Sequence, residues 1–332
     1  FGGKYPNILR ILILSKPNHI KIYGHRGARG DLPENTLDSF KYLFENKINA
    51  YETDILLSKD LVPVVNHDFR LNPALTKNSE GNWIDNDDIK IFELTYEQLT
   101  SFKIGSINKK SKYGRRFDNQ KSLGEKNIPK LSDLLELTST NISDDLIINL
   151  EIKSTPVEDD LTPPPNVMAK LIIEEVNKTK LKDKVIYSSF DWRILTEIKN
   201  IDPKISRAYL TYDRKGKMYD KSPWLDFMPL YDSESRELPR LIKTLGGKAW
   251  HPNRKDISKD MVRISHDEGL PVNVWTVNEE YEMLRMIDYG VDGIITDYPL
   301  KLKKLLKKRI LVGSNFSKNS KRRSRTLSSE AK

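Results

Sequence analysis

The sequence predicts an α/β chain folded as a (β/α)8 barrel, the TIM-barrel architecture. Short β-rich runs alternate with amphipathic helical patterns along most of the chain. Eight of these runs are spaced for parallel pairing. Polar residues gather at their C-terminal ends, which is where barrels of this class keep their active sites. A doubly wound open sheet is the alternative, but no Gly-rich dinucleotide turn follows the first run.

The elements follow in order. Residues 20–24 read as a buried strand ending at His25. Pro33-Glu34-Asn35-Thr36 opens a helix to about Asn46, with Leu37, Phe40, Leu43 and Phe44 at helical spacing. Residues 50–57 form a second strand, and a third run, 62–66, follows almost at once. A parallel crossover needs a dozen residues or more, so residues 58–61 are an antiparallel hairpin turn. If that turn is centred between Lys59 and Asp60, His67 lies opposite Glu52, and a slip of one or two residues keeps them neighbours.

Residues 69–128 break the rhythm. They are polar and contain Asn82-Trp83 and Lys112-Tyr113-Gly114-Arg115-Arg116. They are expected to form an insertion over the barrel mouth, ending where Ile128-Pro129 starts a helix through Leu137. Further strands are expected at 146–152, 185–190, 205–210, 249–251, 272–277 and 293–297. Helices are expected at 167–180, 192–200, 258–268 and 279–289, with a proline-rich loop at 159–165. Leu302, Leu305 and Leu306 give residues 301–308 the spacing of a closing helix. The expected organisation is an N-terminal extension at 1–19, a barrel at 20–309 and a basic tail at 310–332.

The chain has 332 residues, 56 Lys and Arg against 47 Asp and Glu, and a net charge of +9. The charge is localised: residues 301–332 hold twelve basic residues and one acid, Glu330, which leaves the rest of the chain at −2. With no cysteine, disulfides, thiolate nucleophiles and Cys-ligated metals are excluded. The tail's composition predicts disorder, read either as a solvated tail or as a segment drawn to an anionic membrane surface. Nucleic acid is not expected as a partner, because the tail carries a single aromatic, Phe316, for base stacking. No early apolar stretch is long enough to span a bilayer. The first residue is Phe1 rather than Met, so the compartment, cytoplasmic or exported, stays open.

The strand ends carry the chemistry. Glu52 and Asp54 are two apart and share a face of their strand, and Glu151 joins them from the next parallel strand. Three carboxylates in one cavity require a cation, and all-oxygen ligation suits Mg²⁺ or Ca²⁺. His25 and His67 flank the same cavity as candidate general acid and base. Arg26 and Lys153 supply positive charge for a phosphoryl group. Metal-assisted hydrolysis of a phosphate ester follows. Trp275 would pack on substrate carbons or on the barrel rim. Asp68 would orient His67 or begin the loop. Without a carboxylate partner His251 reads as structural, and His19 and His266 as surface or helix residues.

His25-Arg26-Gly27-Ala28-Arg29-Gly30 followed by Pro33-Glu34-Asn35-Thr36 resembles the signature of glycerophosphodiester phosphodiesterases. The resemblance continues in order through Glu52-Thr53-Asp54, Asn66-His67-Asp68, Ile128-Pro129, Glu151-Ile152-Lys153, Ser189-Phe190, Val274-Trp275-Thr276-Val277-Asn278 and Thr296-Asp297-Tyr298-Pro299. It implies a barrel enzyme that hydrolyses glycerophosphodiesters to glycerol 3-phosphate and an alcohol. It further implies His25 and His67 in acid/base roles, Glu52, Asp54 and Glu151 around Mg²⁺ or Ca²⁺, and Arg26 and Lys153 on the phosphate. The family also places an insertion after its second histidine, where 69–128 lie. Departures are Asn66 before His67, Leu61 where a turn glycine is common, and the basic tail. Phospholipase D-like or C-like action on whole or lyso phospholipids is the alternative with the same site. An inactive membrane-binding scaffold is a third reading, disfavoured by the complete set of ligands.

Overall fold

The computed structural model describes residues 20–158, 160–212 and 237–310. The N-terminal extension, His19 and the tail from residue 311 onward lie outside the described residues. The strands are β1 Lys21–His25, β2 Ala50–Leu57, β3 Pro63–Val65, β4 Ile147–Ile152, β5 Val185–Ser189, β6 Arg207–Thr211, β7 Ala249–Pro252, β8 Asn273–Val274 and β9 Gly293–Thr296. All but β3 pair in parallel, in the order β7-β6-β5-β4-β2-β1-β9-β8. Parallel bridges Trp250–Val272 and Asn253–Trp275 join β8 back to β7. The sheet is therefore a nearly closed eight-stranded parallel barrel, and the open-sheet alternative falls away.

Alternation along β2 explains how the sheet sorts its residues. Tyr51 faces outward, its ring 4.9 Å from Phe40 and its hydroxyl 2.8 Å from Thr138 Oγ1. Its neighbours Glu52 and Asp54 must then point into the barrel. The main apolar core fills the layer between sheet and helices, with Phe40, Leu134, Ile172, Leu195 and Met286 among its buried members. The barrel interior holds the polar cluster beside a small apolar one of Tyr23, Ala50 and Ile295.

The first helix runs Leu37–Glu45, capped by Thr36, whose Oγ1 accepts from the Ser39 N–H. Residues 33–36, expected inside that helix, instead form a turn in which Asn35 is left-handed at φ 54° and its N–H donates to the Arg26 carbonyl. This turn folds the segment back over the end of β1.

The hairpin register differs by one from the expected one. Ile55 faces Val65 and Leu57 faces Pro63, so the Asn66 N–H donates to the Asp54 carbonyl, not to its neighbour. The turn closes through the Ser58 N–H to the Val62 carbonyl, with Leu61 left-handed at φ 63°. That extra left-handed residue moves the turn centre to Asp60. His67 consequently follows the pair Asn66–Asp54 and does not stand opposite Glu52.

Residues 69–128 pack on this hairpin through a second apolar cluster that joins Leu56 and Val64 to Leu71, Ile91, Leu99 and Ile128. A short turn of 3-10 helix, Gly114–Phe117, carries part of the segment to the barrel mouth. There Gly114 is obligatory, because a Cβ would stand 2.0 Å from the Asn108 carbonyl oxygen.

Candidate active site

The C-terminal strand ends converge on one cavity of about 350 Å³, lined by His25, Glu52, His67, Glu151, Phe190 and Trp275 among others. At its base Glu52, Asp54 and Glu151 each offer an oxygen, all within 4.8 Å of one another and all buried. β2 and β4 produce this arrangement directly, since Asp54 and Glu151 are register partners.

His25 ends β1. Its Nδ1 lies 2.7 Å from Asp297 Oδ1, and its Nε2 lies 3.7 Å from Glu52 Oε2. The neighbouring Arg26 is left-handed at φ 52°. Its N–H donates to Glu52 Oε2 at 3.1 Å, and its Nη1 donates to Glu34 Oε1 at 2.8 Å. His67, half-buried in the lining of the same cavity, holds Asp68 Oδ1 at 2.6 Å through Nδ1. Lys153 Nζ donates to Glu151 Oε1 at 2.7 Å and lies 3.9 Å from Asp54. A carboxylate accepts only, so each histidine keeps its proton on Nδ1 and leaves Nε2 with a free lone pair.

The residues chosen from sequence thus come together: His25, Arg26, Glu52, Asp54, His67, Glu151 and Lys153 form one cluster. Trp275 lines the same cavity while its Nε1 donates to the His251 carbonyl and its ring meets Phe190 edge-on at 5.3 Å. His251 is fully buried and bonds Asn273, away from any carboxylate contact among the described residues. His266 lies at the surface against Asp292.

Comparison with known proteins adds the family. The model of the glycerophosphoryl diester phosphodiesterase family matches residues 25–301. A glycerophosphodiester phosphodiesterase of Bacillus altitudinis is 29% identical over 283 residues, 84% of this chain and 95% of that protein. One from Caldanaerobacter subterraneus is 28% identical over 86% of this chain and 98% of its own. A solved structure from Silicibacter pomeroyi DSS-3, assigned to the same enzymes, superposes with a TM-score of 0.79 at 32% identity, covering 90% of this chain and 97% of that one. The chain belongs to the glycerophosphoryl diester phosphodiesterase family. A further barrel, a phosphodiesterase of Oleispira antarctica in complex with the product sn-glycerol-3-phosphate, shares the fold at TM-score 0.64 and 22% identity, over 86% of this chain and 96% of its own.

Within this phosphodiesterase framework, several residues had no role assigned from sequence. Asp297, at the end of β9, accepts from Arg29 Nε at 2.7 Å and from Asn278 Nδ2 at 2.6 Å besides holding His25. Glu34 clamps Arg26, and Tyr113, from the 69–128 segment, donates its hydroxyl to Glu34. Asn35 Nδ2 donates to Asp54 Oδ2 at 3.1 Å. Glu34, Asn35 and Asp297 all sit inside the quoted motifs, but only the fold says what each one touches.

The electrostatics follow from burial. Desolvation pushes the His25 imidazole down to about 4, helped by the Arg29 charge. His67 is held well below its ordinary value by burial and then by Arg26 and Lys153. Both rings are therefore neutral at neutral pH. Burial, then Asp54 and Glu151, pushes the Glu52 carboxyl well up. Glu52 Oε1 and Asp54 Oδ1 are buried without a hydrogen-bond partner. Unpaired oxygens on crowded carboxylates are what a hard cation would satisfy, so this donor set fits a divalent metal.

Proposed function

We propose that the chain hydrolyses glycerophosphodiesters to sn-glycerol 3-phosphate and an alcohol. One Mg²⁺ or Ca²⁺ would be held by Glu52, Asp54 and Glu151. When bound, the cation would polarise a non-bridging phosphate oxygen and offset its charge. The observation that carries the reading is the pair of histidines, His25 and His67, each anchored at Nδ1 by a carboxylate and set about one oxygen cluster.

Arg26 and Lys153 bind the phosphate, Arg26 through guanidinium N–H groups and Lys153 as a point charge. One histidine Nε2 takes the proton of the attacking hydroxyl, while the other, charged at Nε2 by a proton from solvent once substrate is bound, gives that proton to the departing alkoxide. A bound phosphate anion offsets Arg26 and Lys153, two of the charges that keep His67 neutral. Substrate binding thus raises the basicity of that ring where a proton has to be held. Trp275 and Phe190 give the glycerol carbons an apolar wall.

Incubation with glycerophosphocholine and Mg²⁺ or Ca²⁺ should release glycerol 3-phosphate, and a chelator should stop the release. No release with any divalent cation would overturn the assignment. Faster turnover of a micellar lysolipid than of its deacylated diester would move the substrate to the lipid itself.

A further inference from the structure

The cavity mouth holds a cation that the proposed hydrolysis does not use. Arg116 lines the cavity, carried there by the Gly114–Phe117 turn. Its guanidinium lies 5.7 Å from the Tyr113 ring centroid and 5.6 Å from that of Phe117, stacked on two aromatic faces. Phe117 is buried, and the Tyr113 hydroxyl is tied to Glu34, so this support is rigid. Stacking orients a guanidinium while leaving its N–H groups free to donate.

The other cations of the site each pair with a carboxylate. Arg26 pairs with Glu34 at 2.8 Å, Arg29 with Asp297 at 2.7 Å and Lys153 with Glu151 at 2.7 Å. Asp68, the acid at the mouth, is occupied by His67 at 2.6 Å and Asn72 at 2.8 Å. Among the described residues, Arg116 pairs with no carboxylate. Strand order gives its position relative to the apolar wall. The Tyr113–Phe117 stretch packs against the loop that follows β1, through Arg29 and Glu34. In the closed ring β5 and β6 lie across from β1, so Phe190 and Leu210 line the cavity on that far side, with Trp275, which follows β8, edge-on against Phe190. A diester lying across the mouth with its glycerol against the apolar wall directs its leaving alcohol towards Arg116.

We infer that Arg116 selects diesters whose leaving alcohol carries its own anionic group, a carboxylate or a second phosphate. This rests on the diesterase reading above and names the substrate class within it. A charge-assisted bond from a pre-oriented guanidinium should favour such an alcohol by about tenfold in kcat/KM, expressed mainly in KM. The preference should shrink with added salt, because Arg116 is exposed.

Two substrate pairs isolate the anion. Glycerophosphoserine and glycerophosphoethanolamine differ by one carboxylate. Glycerophosphoinositol 4-phosphate and glycerophosphoinositol differ by one phosphate. In the unaltered enzyme the acidic member of at least one pair should be preferred by about tenfold, and the pair that shows it identifies the acid. Arg116→Met should bring the ratio to about one, and Arg116→Glu should invert it. Equal kcat/KM within both pairs, or an Arg116→Glu enzyme with the unaltered ratio, overturns the inference and leaves the diesterase reading standing. Hydrolysis of none of the four removes that reading, and the inference with it.

Discussion

The Nδ1 of His25 rests 2.7 Å from Oδ1 of Asp297, a residue 272 positions later in the chain. The contact is a consequence of barrel closure. β1 and β9 pair with Gly24 opposite Thr296, so the next residue of each strand emerges at the same point on the rim. The same carboxylate also receives Arg29 and Asn278, which prevents it from turning away. Ionised Asp297 accepts from Nδ1–H and so leaves the His25 Nε2 as a base.

Asp297→Asn puts an amide at that position. With its NH₂ towards His25, the ring would shift its proton to Nε2 and lose the lone pair that the proposed chemistry uses. The expected outcome is a fall in kcat of about 10²–10⁴-fold with a much smaller change in KM. The substitution also leaves Arg29 short of a buried counter-charge, which should cost about 3 kcal/mol of stability. Steady-state kinetics well below the melting transition separate the two effects. A variant with unchanged kcat would remove Asp297 from the chemistry.

Glu52, Asp54 and Glu151 crowd three acidic groups into a buried space, and two of their oxygens have no partner. Added Mg²⁺ or Ca²⁺ should therefore raise the melting temperature, by the equivalent of about 2.7 kcal/mol at a hundred times the dissociation constant. Glu52→Gln should reverse both halves of this behaviour. Without metal it should be more stable than the parent by about 1–3 kcal/mol, since an amide has no ionised form to desolvate. With metal its melting temperature should scarcely move. Differential scanning calorimetry with and without chelator reads both quantities.

Leu61 is an exposed leucine in the left-handed region at φ 63°, with 40% of its surface in solvent. A left-handed non-glycine residue costs about 1–2 kcal/mol, and little apolar burial at this position offsets that cost. Leu61→Gly relieves the strain but enlarges the entropy of the unfolded chain, so a net gain of about 0.5–1 kcal/mol is expected. Urea denaturation should show it as a higher midpoint at unchanged slope. Glycerophosphodiester turnover should stay the same, because the turn lies on the hairpin away from the carboxylates.

These cases show where sequence reasoning ended. Period-two and helical patterns made the barrel legible, and the pair Glu52 and Asp54 could be assigned to one face by spacing alone. The one-residue slip in the hairpin was hard to read because a leucine at 61, where a turn glycine is common, does not by itself announce left-handed backbone. Asp297 as the partner of His25, and Tyr113 as the partner of Glu34, are products of closure and of long-range packing. No local pattern encodes a contact whose two members are brought together by the ring as a whole. His251 was legible as structural only because no acid stood near it in sequence.

His251 also gives the fold a specific acid sensitivity. It is fully buried, its Nε2 accepts from Asn273 Nδ2 at 2.9 Å, and burial pushes its imidazole down to about 3. In the unfolded chain the same ring titrates near 6.5. Below that pH the unfolded state binds a proton that the folded state refuses, so the neutral ring's contribution is intact above about 6.5. It is lost progressively as the pH falls towards the folded value. One such group should tilt the unfolding free energy by about 1.4 kcal/mol per pH unit between pH 6 and 4. His25 and His67, both held below their ordinary value, act in the same direction, so the test is a difference between two proteins. His251→Gln keeps a carbonyl oxygen for the Asn273 amide and removes the titrating group. Urea unfolding from pH 7 to pH 4 should give the variant the shallower slope by about that amount, and the two proteins should converge in stability as the pH falls. Parallel curves would mean that His251 is protonated in the folded barrel, with its buried and unpaired Nδ1 meeting an acceptor there.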